Sequence, residues 1–576
     1  MIKIWIKYLK PYIFLVFLCV IVLFGQAIAE LSLPNLMSDI VNDGMVRGNI
    51  TLIYRTGSKM LAVTFGSMTC AIIASFLSSR MGIRMGCDIR KAAFKKVEHY
   101  SLYEFENIGT ASLITRITND IVQLQQVTVM AFRFIIYSPI MCIGGMYMAL
   151  SKDKALSVIF AVIIPVLLGI VVVVGIVIIP SFTIMQKRID KLNLTMRESL
   201  MGIRVIRAFN KMDYEKNRFK NANKDLIDVS IKVNRIMAML MPIMMFFMNA
   251  TILAIIWFGG VRVSKSQMAI GDMMAFMQYA MQIIFSILMI AVVFVIIPRA
   301  QASAVRVHEL LDSVNTIKDP NVPKINENIR GKLEFRRVSF QYQDSERPVL
   351  EDISFTSNAG ETTAIIGGTG SGKSTVINLI PRFYDVSSGS ILVDDINVKE
   401  MEQESLRKKI GFVPQGAILF SGTVNENIRF GKKDATDEEI EHATKVAQAY
   451  DFVSKMPEKF NTFISQGGTN VSGGQKQRIS IARAIVRNPE IYVFDDSFSA
   501  LDFKTDATLR SALKKETSES TVIIVAQRVS SIMDADRIIV LDEGKIAGIG
   551  KHRDLLNSCS VYREICSSQL SEEELA

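Results

Sequence analysis

Six stretches without a charged residue constrain this chain more than any other feature: Pro11–Ala29, Met60–Ser79, Phe134–Ser151, Ala155–Gln186, Ile236–Val261 and Met273–Pro298. Each reaches or nearly reaches the roughly 20 residues that a helix needs to cross the hydrocarbon of a bilayer. Buried helices of a soluble protein seldom run so far without a charge, so the first half reads as six membrane spans in a lipid bilayer. The segments between them set the orientation. Lys3, Lys7 and Lys10 precede the first span, Arg84, Arg90, Lys91, Lys95, Lys96 and Arg116 follow the second, and Lys187–Arg235 is richer still. Basic segments are retained in the cytoplasm, which places both long connections and everything after Arg299 on that side. The net charge of +10 therefore reflects membrane topology, and nucleic acid is not an expected partner. Met1–Lys10 is too short and too charged for a signal peptide and is expected to form an interfacial helix. The six cysteines show no CxxC and no regular spacing, and read as free thiols.

The two long connections contain RKAAFKKVEHYSLYEFE and DYEKNRFKNANKDLIDVSIKVN, both of helical character. The spans are expected to continue into the cytoplasm and to turn near Glu104–Gly109 and Arg197–Asn210, where they are available to touch a soluble domain. The expected division is a six-span α-helical domain over 1–315, a linker over 316–331 and a soluble α/β domain over 332–576.

The soluble part contains TTAIIGGTGSGKSTVINLI, a strand, a glycine-rich turn and a helix in that order. Gly367, Gly368, Thr369, Gly370, Ser371, Gly372, Lys373 and Ser374 fit GxxxxGK[ST], with Thr375 directly after. In such a loop backbone N–H groups wrap phosphate oxygens, the lysine reaches the β/γ-phosphates and the serine ligates Mg²⁺, so ATP and Mg²⁺ are the expected ligands. EIYVFDD supplies a second buried strand ending in Asp495, the expected Mg²⁺ partner of Ser374.

Between these two lies VSGGQKQRISIARAIVRNPE, in which Ser472, Gly473, Gly474 and Gln475 open a helix. This resembles the signature motif of ABC-transporter ATPases, and the other family motifs stand in order around it. Tyr342 in VSFQYQ matches the aromatic that stacks on adenine. Gln415 in GFVPQ matches the Q-loop glutamine, which implies a further Mg²⁺ contact, and Ser499–Asp502 match the D-loop. The spans, FENIGTASLITRITND and LFSGTVNENI resemble the bacterial multidrug-exporter branch, with membrane and ATPase domains fused. The resemblance covers essentially the whole chain. It implies an ATP-driven exporter of hydrophobic or amphipathic small molecules in the bacterial cytoplasmic membrane, with its ATPase domain in the cytoplasm.

The sequence departs from that family at its chemistry. The residue after the metal-binding aspartate is normally a glutamate that polarises the attacking water, and a later histidine contacts the γ-phosphate. Here Asp496 and Gln527 stand in those places. Asp is about 1.5 Å shorter than Glu, and a misplacement of about 1 Å can cost roughly 10²-fold in rate. Gln527 can donate a hydrogen bond but carries neither charge nor a transferable proton. Gln466 replaces the glutamate that in the family helps couple the ATPase to the membrane helices. Family members work as head-to-tail pairs, each nucleotide held by one chain's glycine-rich loop and the other's signature. Two readings fit: a heterodimer in which a second half-transporter supplies the intact glutamate and histidine, or a slow homodimer. A nucleotide-gated sensor subunit is a third.

Eleven methionines fall in or near the last two spans, from Met237 to Met248 and from Met273 to Met289, and flexible thioethers suit either an adaptable cavity or packing against lipid. None of the six stretches contains an acid, so the sequence offers no support for a proton relay or a dedicated cation site.

Overall fold

The computed structural model describes residues 1–324, 326, 330–343 and 345–570, the side chains of 294–296, 298 and 299 excepted. Among these residues six helices are long and apolar enough to cross a membrane: Ile2–Met45, Ile50–Glu98, Thr110–Lys152, Val158–Met201, Met212–Ser264 and Ile270–Val293. All extend beyond the charge-free stretches except the last, whose helix itself runs on to Asp312. At 1.5 Å per residue the 49 residues of Ile50–Glu98 span about 74 Å, more than twice the hydrocarbon thickness, so the charged end of this helix stands in water. Polar contacts tie these extensions together: Arg188 pairs with Asp225 at 2.8 Å, and buried Asp120 accepts from Arg306 Nε at 2.7 Å and Ser303 Oγ at 2.9 Å. The chain begins with the helix Ile2–Leu9, which buries Ile4. All six cysteines are free thiols.

The charge-free stretch Pro11–Ala29 ends at the acid that follows, but the helix does not: it runs over Ile13–Asp39 and contains Glu30, so the first span is longer than its charge-free part. The carboxylate is accommodated because Tyr137 Oη, Gln26 Nε2 (3.0 Å) and Ser67 Oγ (3.2 Å) all donate to it. A spanning helix can hold an acid that is supplied with donors, which a charge-free window excludes by construction.

The chain divides into two compact units: Met1–Tyr100 with Asn107–Val314, and Ser101–Glu106 with Asn315–Ala576. The first connection turns through the short helix Leu102–Ile108, and Gly109, at φ 78°, starts the return helix. The Ser101–Glu106 piece belongs to the second unit through definite contacts. Thr316 N donates to Glu104 Oε1 at 2.9 Å, and Tyr384 Oη donates to Glu106 Oε2 at 3.0 Å. The second connection turns through Ile203–Ala208, between Gly202 and Lys211. Of the linker expected over 316–331, positions 325 and 327–329 lie outside the described residues, as do 344 and 571–576 of the soluble region.

Among the described residues the second unit holds twelve strands: β1 (Leu333–Phe340), β2 (Leu350–Ser357), β3 (Thr362–Gly367), β4 (Ser388–Val393), β5 (Ile396–Asn397), β6 (Ile410–Val413), β7 (Gly422–Thr423), β8 (Phe463–Ile464), β9 (Ile491–Asp495), β10 (Thr521–Val525), β11 (Arg537–Asp542) and β12 (Lys545–Gly550). The main sheet has the order β12-β11-β3-β10-β9-β6, parallel except for the β11–β12 hairpin. β9 and β10 are buried at every position, which explains why they read as unbroken apolar runs, as parallel strands covered on both faces do. A second sheet, β2-β1-β4-β5, is antiparallel, and β7 pairs with β8. The fold is thus a six-span helical region followed by a mixed α/β domain.

Candidate nucleotide site

In an open parallel sheet, ligands gather at the carboxyl ends of the strands. Here β10 lies between β3 and β9, with Val525 opposite both Ile365 and Asp495, and β6 flanks β9. The glycine-rich loop leaves β3, Gln527 follows β10, Asp495 ends β9 with Asp496 next, and Gln415 follows β6. Four distant sequence segments are brought to one edge by strand order alone.

The loop needs its glycines at two points. A Cβ on Gly367 would lie 2.1 Å from the Leu541 carbonyl oxygen, and Gly372 has φ 97°, with Leu350 Cδ2 at 2.6 Å from a Cβ there. Lys373, the first residue of the helix Lys373–Leu379, folds back so that Nζ donates to the carbonyls of Gly367 (2.8 Å) and Gly368 (2.7 Å). Burial holds its pKa below the usual lysine value, against the pull of Asp495 and Asp496. Asp495 is pushed up to about 6, chiefly by burial and then by Asp496, with Lys373 opposing. Ser374 is exposed on the helix's first turn, while the Ser371 hydroxyl is buried without a partner among the described residues. Tyr342 Oη lies 3.2 Å from Thr375 Oγ1, and its ring meets Phe340 and Tyr384 edge-on at 4.8 and 5.3 Å.

Asp496 is buried, donates its N–H to the Val525 carbonyl at 2.9 Å and accepts from Gln415 Nε2 at 3.3 Å. Its φ of 46° lies in the left-handed region, which aspartate tolerates better than most residues. Among the described residues no hydrogen bond joins the Gln527 side chain to either aspartate. Its backbone is held by Gln569 instead, whose Nε2 donates to the Gln527 carbonyl while its Oε1 accepts from Val529 N, both at 2.8 Å. Arg528 reaches the Ser499 carbonyl at 3.4 Å. Sequence reasoning missed Gln569 and Arg528. Neither belongs to a motif, and Gln569 acts across 42 positions.

The donor set fits a magnesium nucleotide. A loop of backbone N–H groups, an orphaned serine hydroxyl and a lysine can take phosphate oxygens. Two neighbouring carboxyls, one of them with its ionised form disfavoured, are relieved by a divalent cation.

The signature residues form a separate group. Ser472 caps the helix Gly473–Ile485: its Oγ accepts from Gln475 N at 3.3 Å, and Gln475 Oε1 accepts from Ser472 N at 2.9 Å. This reciprocal cap closes the helix start and leaves its remaining N–H groups for an anion. A Cβ on Gly473 would meet nothing within 4 Å, whereas one on Gly474 would lie 3.1 Å from the Ala500 carbonyl oxygen. Among the described residues no hydrogen bond joins Ser472–Gln475 to the glycine-rich loop. Gln466 lies in a 3₁₀ turn, Gln466–Gly468, that precedes the cap.

Residues 16–287 match the ABC transporter transmembrane region and residues 350–499 match the ABC transporter family. An uncharacterized ABC transporter ATP-binding protein of Mycobacterium tuberculosis is 40% identical over 567 residues, covering 98% of this chain and 97% of its own. This chain belongs to the ABC transporter family. The transporter is also similar to the ATP-dependent lipid A-core flippase of Syntrophus aciditrophicus, 33% identical over 88% of this chain and 84% of that protein. A bacterial Atm1-family ABC exporter solved with ATP bound shares its fold with a TM-score of 0.83 at 25% identity, over 98% of this chain and 99% of that one. The transporter is a multi-pass membrane protein with an ATPase domain whose ATP hydrolysis is coupled to transport, and it is expected to act as a dimer in a lipid bilayer.

Proposed function

We propose that this transporter exports hydrophobic or amphipathic compounds across the bacterial cytoplasmic membrane as one half of a heterodimer, supplying its catalytically weak ATP site. The observation that carries the reading is the pair Asp496 and Gln527, two coincident losses among the groups that activate water and clamp the γ-phosphate. The loop from Gly367 to Thr375 binds the phosphates, with Lys373 released from its own carbonyls toward them, and Tyr342 stacks on the adenine. Ser374, Gln415 and Asp495 would hold Mg²⁺, which when bound neutralises charge on the phosphates. Asp496 is too short to place a water well, and its hydrogen bond with Gln415 competes for its carboxylate. Gln527 orients the γ-phosphate without supplying charge. Ser472, Gly473, Gly474 and Gln475 complete the partner chain's competent site.

Pairing with a second chain is supported by the tip of the second cytoplasmic turn, where Met201, Val205 and Phe209 are 81%, 60% and 71% exposed. Such apolar exposure at a helical tip suits an interface. The test is to purify this chain alone in detergent and measure nucleotide binding and turnover. Mg²⁺-dependent ATP binding with slow hydrolysis is expected. Hydrolysis as fast as that of the assembled pair would replace this reading with an active homodimer.

A further inference from the structure

We propose that a cavity of about 750 Å³ inside the membrane unit recognises the charged head of a protonated lipophilic amine, with Glu30 as its counter-charge. The inference rests on the export reading and names the cargo class which that reading leaves open. Met141, Met248, Met281, Met289 and Phe285 give the cavity an apolar wall that can repack around different shapes. Set into this wall is the Glu30 carboxylate.

Three observations point to a cation that carries N–H groups. Glu30 is held by Tyr137, Gln26 and Ser67, all neutral donors, so it is aimed but not balanced. Among the described residues no basic side chain forms an ion pair with it, and an uncompensated carboxylate among apolar helices is costly. Gln282 lines the same cavity and donates to the Glu30 carbonyl at 3.4 Å, yet its own Oε1 is buried and has no donor among the described residues. Among the described residues Glu30 thus has no ion-pair partner and Gln282 Oε1 no donor, and an ammonium group supplies both. The third observation is the backbone: Phe132–Tyr137 adopts π-helical turns, an irregularity that shifts the phase of the helix where it presents Tyr137 to Glu30. Arg133, one turn earlier, lines the cavity but is exposed and makes no ion pair with Glu30. It is the group that would favour an anion instead.

The full-length chain in lipid nanodiscs is titrated calorimetrically with dodecylamine, dodecanol and dodecyl sulfate, against empty nanodiscs. These probes share one chain and differ in head group. Wild type is expected to bind the amine about tenfold more tightly than the alcohol, and Glu30→Gln to remove that margin while Glu30→Asp keeps part of it. A wild-type chain with no preference for the amine overturns the proposal whether or not a variant folds, and so does a preference that survives Glu30→Gln. Tightest binding of dodecyl sulfate, lost in Arg133→Ala, would make this an anion site. In inverted vesicles that carry the assembled pair, ATP-dependent uptake that ignores head group sinks the amine assignment alone. Glu30-dependent amine binding without any ATP-dependent uptake supports the site and sinks the export reading.

Discussion

At the carboxyl ends of β3, β9 and β10 the charged groups are crowded and internally spoken for: Lys373 caps its own loop, Asp496 bonds to Gln415, and burial disfavours ionised Asp495. The N-terminus of the Gly473–Ile485 helix is the opposite, a finished cap with open space in front of its first glycine. The two regions are halves of different composite sites in the proposed dimer. The contrast shows that the two contributions are carried by separate strand ends and helix ends, so that in the proposed dimer one could weaken without the other.

Four variants test that contrast. The largest effect is expected from Gly473→Asp, which has room in its own domain but sets a negative side chain where an anion must approach the helix dipole. ATPase and efflux of the assembled pair should fall about 10²-fold or more. Next is repair of the weak side. With the partner's competent site disabled, Asp496→Glu together with Gln527→His should raise turnover about tenfold, and either alone much less, because base and clamp act as a unit. The left-handed backbone at 496 disfavours the longer side chain and trims the gain of the single change. A smaller effect follows from Gly474→Ala, whose Cβ would sit 3.1 Å from the Ala500 carbonyl oxygen and push on the Ser499–Asp502 loop. Transport should drop about threefold while nucleotide binding to this chain's own loop is retained. Smallest is Asp496→Asn, which removes a base of little use and should change pair transport by no more than about twofold. Were it as damaging as Gly473→Asp, the contrast would collapse and this chain would hydrolyse ATP at its own site.

Much of the site was legible because its motifs are local. GGTGSGKST carries its own strand, turn and helix start, SGGQ reads as a capped helix, and the six spans announce themselves by composition. The ends of the helices were not legible. A charge-free window stops at the first ionised side chain, whereas a helix in water or beside hydrogen-bond donors continues past it, as at Glu30 and from Ser79 to Glu98.

The sequence by itself determined the two materials of the chain, the order of the nucleotide motifs, and the presence of aspartate at 496 and glutamine at 527, since each is a property of residue type at a given spacing. Only the tertiary structure decided that Gln415 bonds Asp496, that Gln569 clips the Gln527 backbone, that Gly474 faces Ala500, and that Glu30, Tyr137 and Gln282 share one cavity. These contacts join residues from 26 to 252 positions apart. Such partners are chosen by strand order and helix packing, which no local periodicity encodes.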